Sequence, residues 1–508
     1  MSTSTPKSLL DLLAPASAGR TAVVAPEQNI RVTYEGLRSQ VEALASALAR
    51  AGVARGDRVG IALPNGLPVI VSFLAASTAG TAAPLNPAYK EDEFRFYLED
   101  TNAQVLILPP DGAEAARRAA GDRVRILTVD MDSNGNVKLA ASHGGGAAAS
   151  AVQTPSVNDV ALILHTSGST GRPKRVPLTH ANLSISAQNV ARSYGLGPAD
   201  VSMCVMPLFH VHGLVASTLA TLATGGTVVV PSKFNPLSFW RVARDQRVTW
   251  YSAVPTLHQL LLARAESGAP KPEGAERLRF IRSCSAPLAP QAMHDLEAAF
   301  GAPVLEAYGM TEAAHQMASN PMPPAARKPG SVGPGTDVQI SIMDAAGHHL
   351  SADDRGEVVI KGPNVIEGYE NNPEANATSF VDGWFRTGDQ GFLDADGYLT
   401  LVGRIKELIN RGGEKISPRE VDEVLLAHPA VAEAVCFGVP HPTWGEEVAA
   451  AVVVREPVTE AELLAYCRER LADYKRPKQI HITDAIPRTA TGKIQRRIVA
   501  QAYAQKAS

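Results

Sequence analysis

Leu164-His165-Thr166-Ser167-Gly168-Ser169-Thr170-Gly171-Arg172-Pro173-Lys174 closes the apolar run Val160-Ala161-Leu162-Ile163-Leu164. The apolar run has the length and composition of a buried strand. The segment after it carries two glycines, four small hydroxyls and a lysine. Freed backbone N–H groups, hydroxyl donors and one cation are what a loop needs to wrap a polyphosphate. The spacing is not that of a Walker A loop, since no Gly-Lys-Ser/Thr ends it, and no dinucleotide-type glycine pattern opens a helix behind it. Taken by itself, the run also fits a Ser/Gly surface turn.

The sequence around this loop points to an α/β fold. Up to about residue 150, helical patterns such as Tyr34 to Ala51 alternate with short apolar runs such as Val59 to Leu63 and Val105 to Leu108. That alternation predicts helices on a largely parallel sheet. It resumes through Val228-Val229-Val230, Thr249-Trp250-Tyr251 and Arg279-Phe280-Ile281, after a low-complexity loop at Gly144 to Ser150. From Gly330 to Val402 short strands punctuated by Gly, Asp and Pro predict a β-rich subdomain. A boundary falls near Gly403 to Lys406, which divides residues 1–403 from a small α+β domain at 404–508. There, Ser417-Pro418-Arg419-Glu420 reads as a capping box with Pro at the first helical position, and Thr459 to Glu462 opens a second capped helix.

Bulk properties narrow the function. At 508 residues the chain exceeds one ordinary core. Hydrophobic content of 45% and charged content of 19% describe a globular protein. A net charge of −3 argues against a nucleic-acid binder, which would show a basic stripe. Cys204, Cys284, Cys436 and Cys467 have no CxxC spacing, so neither a zinc site nor a disulfide framework is expected. The N-terminus has no apolar signal core, and residues 68–85, the nearest to a membrane span, are broken by Ser, Thr, Gly and Pro. The final Lys506-Ala507-Ser508 is not a peroxisomal signal. Cytoplasm is the expected location.

Further motifs give the phosphate loop its context. Glu306-Ala307-Tyr308-Gly309-Met310-Thr311-Glu312, Trp384 to Asp389, Gly403-Arg404-Ile405-Lys406 and Thr489-Ala490-Thr491-Gly492-Lys493 follow it in order. Together the five segments resemble the acyl-activating, adenylate-forming enzyme superfamily over nearly the whole chain. The resemblance implies ATP, Mg²⁺ and coenzyme A as reactants or cofactors. It implies that Thr166, Ser167, Gly168, Ser169, Thr170, Gly171 and Lys174 hold pyrophosphate, and that Ser285, Ala286, Glu306, Ala307 and Tyr308 line the adenine side. Thr311 would meet the α-phosphate, Glu312 would hold Mg²⁺, Asp389 would bind the ribose, and Arg404 would contact the ribose or phosphate. Lys493 would be the catalytic cation, Lys406 the hinge of a mobile C-terminal domain, and Gly412-Gly413 the loop brought to the thiol tunnel. Arg175 departs from the pattern, which has glycine after the loop lysine; it would add charge near pyrophosphate or point to solvent.

The acyl pocket is harder to infer. Ser283-Cys284-Ser285 stands where many relatives have a glycine pair, which shortens the cavity and adds a hydroxyl. His315 follows the magnesium motif, and Pro207 to Gly213 adds His210 and His212, spaced as on one strand face. No third metal ligand accompanies them, so a hydrogen-bonded core position is expected for His212. A short pocket with His210, Ser285 and His315 as donors suits a small acid with a second polar end. Arg282 to Ser285, Trp250 to Thr256 and Gly403 to Pro418 are similar to oxalate–CoA ligases, which implies oxalate as the small-molecule acid. Malonate or short-chain acids remain alternatives, as does a non-catalytic nucleotide-binding regulator. A peptide-synthetase adenylation module fits less well.

Overall fold

The helix Leu67–Ala79 is apolar on every side and almost wholly buried. Such a helix needs cover all round, and it packs against strands of two different sheets. The apolar stretch nearest in length to a membrane span is thus a core helix, and among the described residues no helix is long and apolar enough to cross a membrane. A computed structural model describes residues 8–13, 17–139, 152–166, 173–265, 270–489 and 493–504. The expected loop at Gly144 to Ser150 and the loop residues Ser167, Gly168, Ser169, Thr170 and Gly171 lie outside the described residues, as do Ala490, Thr491 and Gly492.

The first sheet runs Val137–Leu139, Arg125–Met131, Ala103–Leu108, Arg58–Ile61, Thr81–Pro84, Val160–Thr166, Lys174–Thr179. Its five central strands are parallel and both edges antiparallel. The second runs His315–Ser319, Val304–Met310, Phe280–Cys284, Trp250–Ala253, Val201–Cys204, Thr227–Val229, Thr21–Ala25, Ile30–Thr33, again parallel at the centre and antiparallel at the edges. The flanking helices form where the sequence predicts them: Tyr34–Arg50 is capped by Thr33, which accepts from the Gly36 N–H, and buries Leu37, Val41, Leu44 and Leu48 along one stripe. Antiparallel strands from Gln339–Met343 to Leu399–Arg404 form the expected β-rich subdomain. A fourth sheet with helices Pro418–Leu426, Glu460–Arg470 and Arg496–Ala504 makes the α+β C-terminal region.

Two local expectations need correction. Pro418 does open its helix with Ser417 at the cap, but no capping bond forms. The Ser417 hydroxyl donates instead to the Val402 carbonyl at 2.7 Å, and Glu420 pairs with Lys475 at 2.7 Å. Contacts across the junction outcompete the local box there, whereas the Thr459–Glu462 box does form. His210 and His212 are not on a strand: His212 opens a wide π-type helix, His212–Leu219, and His210 lies in the bend before it. Gly213 allows this turn, since a Cβ there would stand 2.4 Å from the Pro207 carbonyl oxygen.

Candidate active site

Parallel strands of open α/β sheets place ligands beyond their carboxyl ends. The sequence-derived candidates lie there: Thr166 ends one strand, Ser285 follows Cys284, and Thr311-Glu312 follow Met310. Gly309 makes the last of these turns possible, because a Cβ would fall 2.0 Å from the His315 carbonyl oxygen.

One end of the site gathers acids, hydroxyls and a lysine. Buried Glu312 accepts from the Thr166 hydroxyl at 3.3 Å and from the Tyr369 hydroxyl at 2.9 Å, both on Oε1. Lys174 Nζ stands 4.4 Å over the Tyr369 ring. Burial lowers the Lys174 ammonium from its ordinary value, opposed by Glu312 and reinforced by Lys406. Arg175 projects to the opposite strand face from Lys174, as alternation requires. There it pairs with Asp100 at 3.4 Å and Glu370 at 3.5 Å, so it is a structural ion-pair residue rather than a solvent-facing one. The Glu370 N–H also donates to the Arg175 carbonyl at 3.1 Å, which fixes the segment carrying Tyr369.

A second group surrounds Asp389. Its carboxylate accepts from the Tyr308 hydroxyl on Oδ2 and pairs with Arg404 Nε at 2.8 Å on Oδ1. Burial raises the Asp389 carboxyl, with Arg404 the strongest opposing influence. A carboxylate offers about four acceptor sites, so this one retains capacity for further donors. Glu306 on the same strand as Tyr308 is turned to other work: it accepts from the backbone N–H of Leu288 at 3.3 Å and of Gly330 at 3.1 Å, and burial pushes its carboxyl up to about 7.

The third group is built from histidines, serines and one arginine. His212 Nδ1 lies 3.0 Å from Ser285 Oγ, and its Nε2 lies 2.6 Å from Ser252 Oγ. The His315 ring is tilted against that of His212, with centroids 5.1 Å apart. His210 is partly buried beside Thr311 and His165; its Nδ1 accepts from the His212 N–H at 3.2 Å, leaving the proton on Nε2. Burial, reinforced by Lys493, drops the His210 imidazolium to about 3. Behind these rings Arg282, wholly buried, contacts Ser252, His212, His315, Gln316 and Tyr194. The stacked rings of Tyr194, Phe280 and Trp250 support it. Ser285, Ala314 and His315 all have left-handed backbones, at φ 73°, 51° and 124°.

Lys493 reaches all three groups electrostatically. Burial lowers its ammonium; Cys284 opposes that shift, Arg404 adds to it, and Asp389 and Glu312 oppose it. Lys406 is exposed in the short turn Ile405–Glu407. Gly412 and Gly413 form a hairpin tip at φ 61° and 95°, where a Gly412 Cβ would meet the Trp444 ring at 2.8 Å. Ala286 and Ala307 flank the Ser285 and Tyr308 positions.

Sequence inspection singled out neither Tyr369 nor Arg282 as a site residue. Arg282 had a legible signal, a charge inside an apolar strand; Tyr369 had none. Among the described residues no cluster of three or more His, Cys, Asp or Glu could hold a metal. A single carboxylate beside a hydroxyl suits Mg²⁺ that is otherwise liganded by phosphate oxygens.

Residues 13–370 match the family described as AMP-binding enzyme, and residues 420–493 match its C-terminal domain. The oxalate–CoA ligase of Arabidopsis thaliana is 48% identical, covering 94% of each chain, and that of Saccharomyces cerevisiae 44% identical, covering 95% of each. The sulfoacetate–CoA ligase of Cupriavidus necator is 38% identical over 98% of this chain and 99% of its own. ATP-bound MatB from Rhodopseudomonas palustris, 31% identical, superposes with a TM-score of 0.88 over 99% of both chains, and its apo form with 0.78.

Proposed function

The chain belongs to the AMP-binding enzyme family as an ATP-dependent acyl-CoA synthetase, and from that premise we propose that its acid is oxalate, converted to oxalyl-CoA. The observation that carries this is the cluster of Ser285, His212 and His315 backed by a buried cation, Arg282. These groups are hydrogen-bonded within the protein, but the Arg282 charge has no carboxylate partner among the described residues. A second carboxylate on the acid supplies that counter-charge, and an aliphatic or aromatic tail does not. The names of the Arabidopsis and yeast relatives support the same acid.

In the first step one oxalate oxygen bonds to the α-phosphorus of ATP, and the bond to pyrophosphate breaks. Two anions must meet, so charge neutralisation and positioning supply most of the acceleration. Lys493 neutralises the attacking carboxylate and the bridging oxygen. Thr166, the loop Ser167 to Gly171 and Lys174 hold the leaving pyrophosphate, Thr311 meets the α-phosphate, and Asp389 with Arg404 holds the ribose. Glu312 would hold Mg²⁺, which would supply neutralisation of phosphate charge. In the second step the coenzyme A sulfur bonds to the oxalyl carbon and AMP leaves with the electron pair. Residues 404–508 rotate about Lys406 between the steps, which withdraws Lys493 and brings Gly412-Gly413 to the thiol.

An AMP-release assay with oxalate, malonate, acetate, octanoate and 4-coumarate tests the acid. We expect the highest kcat/KM with oxalate; preference for a long or aromatic acid overturns the proposal. Absence of carboxylate-dependent ATP–pyrophosphate exchange with every acid would favour a nucleotide-binding regulator instead.

A further inference from the structure

Arg282 lies within the strand Phe280–Cys284 with no exposed surface, and no carboxylate among the described residues is within ion-pair distance of it. Its partners include no carboxylate: the Tyr194 hydroxyl at 2.8 Å, Ser252 Oγ at 3.0 Å, Gln316 Oε1 at 3.0 Å, the Nε2 atoms of His212 and His315, each at 3.5 Å, and the Cys284 side chain. A buried charge without a counter-charge is strongly disfavoured. A site that keeps one is poised for an anion brought by its ligand.

The guanidinium also sets the direction of every hydrogen bond near it, because it can only donate. Nε2 of His212 and Nε2 of His315 each lie 3.5 Å from the Nη1 that donates to Ser252, and an unprotonated Nε2 on each suits that cation. Ser252 Oγ accepts from Arg282 and gives its own proton to His212 Nε2 at 2.6 Å. His212 then carries its proton on Nδ1, which faces Ser285 Oγ at 3.0 Å. Having accepted that proton, the Ser285 hydroxyl is left to donate elsewhere. Burial holds both rings neutral, with Arg282 acting in the same direction on each and the His315 ring adding to the shift at His212.

We propose that Arg282 is the positioning residue for acid selectivity: through Ser252 and His212 it aims the Ser285 hydroxyl into the pocket as a donor, and its unbalanced charge is met by the anionic far end of a two-ended acid. The inference rests on the two-ended small acid of the proposed function but does not require that acid to be oxalate.

The test compares kcat and KM for oxalate, malonate and acetate, and KM for ATP, in wild type, Arg282→Gln, Arg282→Lys and Ser252→Ala. Acetate has oxalate's two carbons but only one charged end. Arg282→Gln should lower the oxalate-to-acetate ratio of kcat/KM tenfold or more, mainly through KM for oxalate. Arg282→Lys, which keeps the charge, should recover part of the ratio, and Ser252→Ala should fall between wild type and Arg282→Gln. Should Arg282→Gln not fold, Ser252→Ala carries the test, joined by ¹⁵N spectra of labelled histidine, in which His212 should show the Nδ1-protonated tautomer. An unchanged ratio in the folded variants, an equal loss on both acids and ATP, or an Nε2-protonated His212 overturns the inference. If wild type prefers malonate, the oxalate proposal fails and the ratio is taken with malonate. If it prefers acetate or octanoate, both fail.

Discussion

The nucleotide end and the acyl end of the site balance charge in opposite ways. Around Asp389, Arg404 and Glu312, cations and carboxylates face one another, and each carboxylate accepts from a tyrosine, Asp389 from Tyr308 and Glu312 from Tyr369. Arg282 is a cation with no carboxylate partner among the described residues. The backbone follows the same division. Tyr308, Thr311, Glu312, Asp389 and Arg404 all have ordinary φ values, whereas Ser285, Ala314 and His315 are left-handed. Strain and a cation without a carboxylate partner concentrate at the end proposed to choose the acid, whereas the end proposed to handle ATP pairs its own charges.

The largest effect should come from the one residue that acts on both ends. Lys493→Ala should lower acyl-adenylate formation about 10²–10³-fold, the loss typical of removing one preorganised transition-state donor. Thioester formation from supplied acyl-adenylate should fall far less, because Lys493 has no assigned part in that step. Pyrophosphate exchange and single-turnover thioester formation measure the two halves, and equal losses would place Lys493 outside the adenylation step.

Asp389→Asn probes the nucleotide end alone. The amide keeps the shape but loses the charge, leaving Arg404 unbalanced. A hydrogen bond to a charged group contributes about 1.5–3 kcal/mol, so KM for ATP should rise roughly 10–100-fold while KM for the acid stays near wild type. A comparable rise in both would mean that the two ends are coupled through this carboxylate.

The same division decides what the sequence made legible. The nucleotide end is carried by short contiguous runs such as Tyr308 to Glu312, whose order along the chain is itself informative, and the sheets and most helices followed from apolar periodicity. The acyl end is assembled from Ser252, Arg282, Ser285 and His315 on different strands, with His212 from a helix. Their direction of donation depends on contacts that only folding creates. His210 and His212 show the limit: alternation suggested a strand face, but the turn at Gly213 converts the segment into a helix start. At Ser417 the motif was present and the bond was not, because the hydroxyl is drawn to the Val402 carbonyl and Glu420 to Lys475.

Glu306 gives a smaller effect, readable as pH dependence. Burial raises its carboxyl from the ordinary 4.5 to about 7, so between those values the folded protein holds this proton more tightly than the unfolded chain. Its contribution to stability is complete below about pH 4.5 and is lost as the pH rises through about 7. Glu306→Gln, which keeps an acceptor for the Leu288 and Gly330 N–H groups but cannot ionise, should flatten the fall in Tm between those pH values. A variant whose Tm declines as steeply as wild type would assign the decline to another group.

Ser285→Gly should produce the smallest change in stability and the clearest contrast between the two ends. A non-glycine residue held in a sparsely populated region costs about 1–3 kcal/mol, and Ser285 stands at φ 73°. Glycine removes that strain but adds conformational freedom to the unfolded chain, worth roughly 0.5–1 kcal/mol the other way. Loss of the His212–Ser285 hydrogen bond costs about a further 0.5–1.5 kcal/mol, so the three contributions nearly cancel and Tm should stay within about 1–2 °C of wild type. Selectivity for the two-ended acid should fall while stability and KM for ATP hardly move. A variant that keeps the selectivity of wild type would show that the Ser285 hydroxyl has no part in the choice of acid.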